Sequence, residues 1–307
     1  MSERVSPSRR GRLPRLATAC VVLLGLAGYL AVRHDPGGSG PPRCVVSPAG
    51  NGEPYVIEPA QAANAATIGA VASARGLSER AVTIALATAM QESALRNIDY
   101  GDRDSVGLFQ QRPSQGWGTV EQIMDPVYSA GKFYDGLVEV PGYSRLPLTV
   151  AAQRVQRSGF PDAYAKHEPK AALLTAALTG RRAASLNCFA GGKVTAGDPL
   201  RVREKLVREF GEDVLPDPSG IGGSGGVGRS APGPVVSVPI HTPARGTGAD
   251  ADRRGWEVAH WAVAHSFELG IEKIFYGKRV WEADRAREGW RTTGGPARPE
   301  VVIVTAR

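Results

Sequence analysis

The chain of 307 residues is 42% hydrophobic and 22% charged, an ordinary globular balance that excludes a wholly disordered or fibrous polymer. Its formal net charge of +7 could suit nucleic acid, yet Arg4, Arg9, Arg10, Arg12 and Arg15 face only Glu3 before residue 16. Basic residues so placed speak for membrane topology, so no nucleic-acid partner is expected.

Residues 16–32, "LATACVVLLGLAGYLAV", follow without a charge, and about 17 apolar residues lie at the short end of what crosses a bilayer. The expectation is a cytoplasmic basic tail over 1–15 and a single transmembrane anchor over 16–32, which contacts the cell membrane and leaves the C-terminal portion extracellular. A cleaved secretory signal would carry the same two regions and release a secreted protein. Gly28 and Ala31 make a poor cleavage site, which favours the anchor. A lone span also argues against a transporter.

Export implies an oxidising compartment, where Cys44 and Cys188 form an even pair around the middle of the chain. A disulfide closing so long a loop contributes roughly 3–5 kcal/mol. Two separate buried thiols are the plain alternative.

Residues 33–43, "RHDPGGSGPPR", read as a Gly/Pro linker. From residue 55 to about 190 the chain is Ala-rich and helical in pattern with no alternation of the β type, so the domain expected over 44–215 is mainly α. Pro59 suits a first helical position and Gly76 a stop, which predicts a helix over 59–75. Ser78 caps the next helix, Glu79 favours its first turn, and the apolar run 81–90 follows. Further helices are predicted over 119–123, 126–139, 149–157 and 171–178. Residues 199–210, "PLRVREKLVREF", form an amphipathic surface helix trailing this domain.

The segment 216–255, rich in Gly, Pro and Ser, reads as a disordered linker. Beyond it, 256–307 is expected to be a small α/β module. Val258, Trp261, Ala262, His265 and Leu269 make one helical stripe that Gly270 ends. A hairpin over 271–276 and 279–282 and a strand over 301–305 complete it. Trp256, Trp261, Trp281 and Trp290 suit its small core.

Glu92 raises the chemical question, because it closes a buried-looking helix beside Ala85, Thr88 and Ala89. Burial and the negative end of the helix dipole favour its neutral form, so its pKa should rise. A general acid needs that property in order to protonate a leaving oxygen near neutral pH. A solvent-facing glutamate paired with Arg96 at i+4 is the bland reading of the helix alone.

The sequence after Glu92 shifts the balance. Glu92-Ser93, then Ser105, then Gly107-Leu108-Phe109-Gln110 with Pro113 resembles the lysozyme-like superfamily, in its lytic transglycosylase and goose-type lysozyme branch. The resemblance covers roughly residues 55–180. It implies a catalytic Glu92, support from Ser93 and Gln110, and a sugar groove lined by Gly107, Leu108 and Phe109. Where the family has Ala-Ala-Tyr-Asn-Ala-Gly, this chain has Ala151-Ala152-Gln153-Arg154-Val155-Gln156, so the family's tyrosine is absent at that place and Gln153 or Gln156 is expected to supply polar contacts. Trp117 is either a sugar-stacking or a packing residue. The C-terminal module resembles a small domain of actinobacterial envelope proteins through "GWEVAHWAVAH", "FYGKRVW" and "PEVVIV", which implies an envelope protein as its partner.

Asp99, Asp102 and Asp104 are the candidates for a second carboxylate, or else a loop of solvated charges. The loop lacks the closing Glu of a calcium site, and His260 and His265 lie five apart, the wrong step for one helical face. Neither a metal nor a cofactor is expected. The whole reads as a mainly α lysozyme-like domain after a single N-terminal transmembrane helix, with a disordered Gly/Pro linker and a small α/β C-terminal domain. Its expected work is cleavage of peptidoglycan glycan strands, with a noncatalytic peptidoglycan-binding scaffold as the alternative.

Overall fold

A computed structural model describes residues 40–158, 161–189, 194–215, 233–240 and 247–307. The expected tail and anchor, and most of the 216–255 segment, lie outside the described residues. Among those described, no helix is long and apolar enough to cross a membrane. The fold is mixed α/β, about half helical, with a small C-terminal sheet.

In chain order the elements are β1 (Arg43–Val46), β2 (Tyr55–Ile57), α1 (Pro59–Ala74), α2 (Glu79–Ser93), α3 (Pro126–Val138), α4 (Leu148–Gln156), α5 (Glu168–Leu178), β3 (Leu186–Phe189), α6 (Pro199–Phe210), β4 (Val235–Pro239), α7 (Gly248–Ala264), β5 (Ile271–Gly277), β6 (Arg279–Glu282), β7 (Arg291–Thr292) and β8 (Arg298–Thr305). The described residues also hold single helical turns at Val120–Ile123 and Ser266–Leu269 and short 3-10 stretches such as Pro161–His167.

The helices begin where local chemistry places them. Glu58 and Gln61 form a reciprocal capping box at α1, with Pro59 at the first position. The Ser78 hydroxyl accepts from the Ala81 N–H at the start of α2. Pro169 sits in the first turn of α5, which therefore starts at Glu168 rather than residue 171. Residues 81–90 of α2 are buried on every side, because α2 is the central helix against which α1, α3, α4 and α5 pack.

Several expectations are overturned. The domain expected over 44–215 contains a sheet, ordered β2-β1-β3 and antiparallel throughout. Its strands have three or four residues, too few for alternation to register. Cys44 and Cys188 face each other across β1 and β3 and form the disulfide.

The segment 216–255 also holds order. Val235–Pro239, the alternating "VVSVP", is β4, and α7 begins at Gly248. The second sheet runs β4-β8-β5-β6-β7, so β4 forms one edge and pairs with β8. A strand that draws its stability from pairing is invisible to a composition window dominated by Gly and Pro.

Nor is the C-terminal sheet a free module. About fifty residues bury too little surface to be robust alone, and here α7 packs on α1, α5 and β3. The Trp281 indole N–H donates to Asn187 Oδ1 at 2.7 Å and that of Trp290 to the Leu186 carbonyl at 3.0 Å. Gly180, at φ 64°, lets α5 end against α7, since a Cβ there would lie 1.7 Å from the Arg253 carbonyl oxygen.

His260 is fully buried between the halves. Its Nδ1–H donates to the Ala177 carbonyl at 2.8 Å, and its Nε2 accepts the Ser185 N–H at 3.1 Å. Burial pushes its pKa down to about 4, so it stays neutral and structural.

Helix α6 is clamped rather than trailing on the surface. Val202, Leu206, Glu209 and Phe210 are buried. The Glu209 carboxylate accepts from Trp261 Nε1 at 2.7 Å and Thr67 Oγ1 at 3.0 Å, with Lys205 Nζ at 3.2 Å. Burial pushes this carboxyl up, but His265, Lys205 and Trp261 more than offset it, and its pKa falls below the ordinary range.

Candidate functional site

Helix α2 ends one residue after Glu92 because Ala94 and Leu95 both turn left-handed, at φ 54° and 62°. Two alkyl side chains in that region store strain. Donors from α1 hold the turn: Gln61 Nε2 reaches the Ala94 carbonyl at 2.7 Å and Asn64 Nδ2 the Leu95 carbonyl at 2.8 Å. The helix end is thereby fixed, and with it the direction of Glu92.

Ser93 joins the helix end to the downstream motif, its hydroxyl donating to the Leu108 carbonyl at 2.7 Å. Gly107 sits at φ 79°, where a Cβ would lie 2.8 Å from the Ile123 carbonyl oxygen. A bridge between Val106 and Gln111 closes the loop. Gln110 faces the cleft, its Nε2 shared between the Tyr100 and Gly107 carbonyls at 3.3 Å each.

Leu108 and Phe109 depart from their expected place. Both are fully buried, and Phe109 stacks on Phe133 with ring centroids 4.7 Å apart. Their side chains are core, and only their backbone serves the site. Gln153 also turns away, donating to the Ser158 carbonyl at 2.7 Å, whereas Gln156 lines the cleft and donates to the Phe109 carbonyl at 2.8 Å.

The decisive neighbour of Glu92 is Tyr164, which lies outside the motifs that carry the resemblance. It lies in the 3-10 stretch Pro161–His167, is fully buried, and its hydroxyl donates to Glu92 Oε1 at 2.7 Å. No motif in the sequence marks it. Burial pushes the Glu92 carboxyl above its ordinary range, while Tyr164 and then Gln156 pull the other way without cancelling it. The i+4 pairing with Arg96 does not form, because Arg96 binds Glu58 at 2.7 Å.

Glu92 lies in a cleft of about 1060 Å³ that Gln110, Trp117 and Gln156 also line. Trp117 lines the cleft, and its half-buried ring packs on the core. Asp104 is taken up structurally, bound by the Ser114 N–H at 2.8 Å and Arg112 Nε at 2.7 Å, which hold its carboxyl well below the usual range. Asp102 does line the cleft, and so does Glu139, a helix-end acid that no motif marks.

Such an arrangement can deliver a proton from a half-buried carboxyl to an oxygen held in the cleft and stabilise the carboxylate left behind. Residues 197–300, about a third of the chain, match the family model of the VldE C-terminal domain. The match takes in α6, β4, α7 and most of the second sheet, so it joins α6 to the C-terminal elements, and it leaves the cleft outside. No curated protein matches the chain; its C-terminal third is similar to the VldE C-terminal domain.

Proposed function

We propose that the chain is a peptidoglycan-cleaving muramidase of lytic transglycosylase type, held at the cell membrane through residues 16–32. The observation that carries this reading is Glu92 in its cleft, with a carboxyl biased toward the protonated form and bonded to Tyr164. Glu92 gives its proton to the glycosidic oxygen as the bond to the anomeric carbon breaks. The resulting carboxylate then removes the proton of a hydroxyl on the same sugar as that oxygen closes onto the anomeric carbon, which restores the acid and leaves an anhydro end. Tyr164 and Gln156 stabilise the carboxylate between the two transfers. A noncatalytic scaffold remains the alternative, and the hydrogen bond from Tyr164 to Glu92 supports the catalytic reading over it. On this reading the C-terminal elements offer an envelope partner their outer face.

A second reading is hydrolysis, favoured by Asp102 and Glu139 in the same cleft. A second carboxylate there could activate water. The oxidised full-length protein in detergent, incubated with purified peptidoglycan, separates the two by mass spectrometry of the products. Anhydro-ended fragments support the lytic reading, reducing ends move the assignment to hydrolysis with Glu139 or Asp102 as base, and intact peptidoglycan sinks both.

Tyr164→Phe supplies a pH test. The tyrosine hydrogen bond favours the carboxylate form of Glu92, so its removal raises the Glu92 pKa further. Activity that needs protonated Glu92 should then persist to higher pH, while kcat falls about tenfold because the carboxylate formed in the first step is less stabilised. An unmoved alkaline limb in the pH–rate profile would disconnect Tyr164 from the acid.

A further inference from the structure

The cleft is more cationic than a neutral sugar requires. Arg103, Arg112, Arg154 and Arg157 line it together with Glu92, Asp102 and Glu139. Arg112 is occupied by Asp104 at 2.7 Å and Arg103 leans on Asp102 at 3.9 Å. Arg154 and Arg157 form no ion pair among the described residues, and both are exposed. They flank Gln156, the residue that bonds both the Phe109 carbonyl and Glu92.

Arginines in the last turn of a helix are ordinary, since they complement its dipole. This turn has more built into it. Arg157 is held left-handed at φ 52°, ψ 37°, with its N–H on the Gln153 carbonyl at 2.8 Å. The Gln153 side chain then donates onward to the Ser158 carbonyl at 2.7 Å, which braces the strained residue from inside. The braced turn fixes where the backbone of Arg157 leaves α4, and that place is on the lining of the Glu92 cleft.

We propose that Arg154 and Arg157 form an anion-recognising wall of the Glu92 cleft, which selects glycan strands carrying carboxylates beside the scissile bond over neutral amino-sugar polymers. The inference rests on the muramidase reading of that cleft. Guanidinium groups bind carboxylates through paired N–H donors, a planar geometry that suits this anion. The carboxylates they suit are those of peptide stems attached to the sugar next to the bond being cut.

Binding is measured on the full-length Glu92→Gln protein, whose neutral side chain imitates the protonated acid and prevents turnover. Three probes are compared: solubilised peptidoglycan strands with free carboxyls, the same strands with carboxyls converted to amides, and a neutral N-acetylglucosamine hexamer. Free-carboxyl strands should bind about tenfold more tightly than amidated ones, with a preference that weakens in high salt. Adding R154Q and R157Q should abolish the preference and leave hexamer binding unchanged, which also reports that the cleft is still folded. A preference that is absent, or that survives both substitutions, overturns the anion wall. Cleavage by the parent protein without that preference defeats the wall alone. The preference without any cleavage supports the wall and defeats the muramidase reading.

Discussion

Glu92→Gln is expected to lower peptidoglycan cleavage by about 10²–10⁴-fold, with thermal stability nearly unchanged. Gln is the same size and keeps an oxygen at the position where Tyr164 donates at 2.7 Å, so the burial and hydrogen bonding around residue 92 survive. What it loses is the transferable proton. Because the same carboxyl gives a proton in one step and takes one in the next, both barriers rise together, and the effect belongs at the upper end of that range. Cleavage within tenfold of the parent would remove Glu92 from the chemistry and direct attention to Glu139 and Asp102. Removing a half-buried ionisable group can also stabilise a fold, so a small rise in melting temperature agrees with the same reading.

The Cys44→Ser/Cys188→Ser double variant is expected to lose about 5 kcal/mol of stability, given a sequence separation of 144 residues and the loop-closure entropy of the unfolded chain. For a domain of this size that corresponds to a fall in melting temperature of about 10–20 °C. The loss should spread beyond the first sheet. β3 carries Cys188 and also offers Leu186 and Asn187 to the indole N–H groups of Trp290 and Trp281, so a loosened β3 withdraws their partners. Calorimetry of the oxidised parent and the double variant checks the size, and tryptophan fluorescence checks the spread. Matching melting curves would mean that strand pairing alone holds β3, with no benefit from the cross-link.

Structure is legible in the sequence where the physics is local. Pro59, Ser78 and Gly270 act on backbone groups within a turn of themselves, and α1, α2 and the end of the helical stripe lie where these residues predict. The hairpin across Gly277 and the strand near the C-terminus were legible for the same reason. The nearness of Glu92-Ser93 to residues 107–110 was legible through spaced motifs, and the Ser93 hydrogen bond to Leu108 joins them.

What remained hidden depends on partners far along the chain. Leu108 and Phe109 were assigned to a groove because a motif names positions without saying which face they turn, and Phe133 draws Phe109 into the core. Tyr164 reaches Glu92 across 72 residues, and nothing near either residue announces the other. Val235–Pro239 looks like linker until β8 pairs with it. Four tryptophans could serve a core of the C-terminal elements alone, yet the indole N–H groups of Trp281 and Trp290 find acceptors on β3 and that of Trp261 finds Glu209 on α6. By itself the sequence determined where α1 and α2 begin, because capping acts within a turn, and which residues carry ionisable chemistry. Only the tertiary structure decided which side chains face the cleft and that the two halves share one core, because burial and hydrogen-bond satisfaction are settled between segments that meet only in the folded chain.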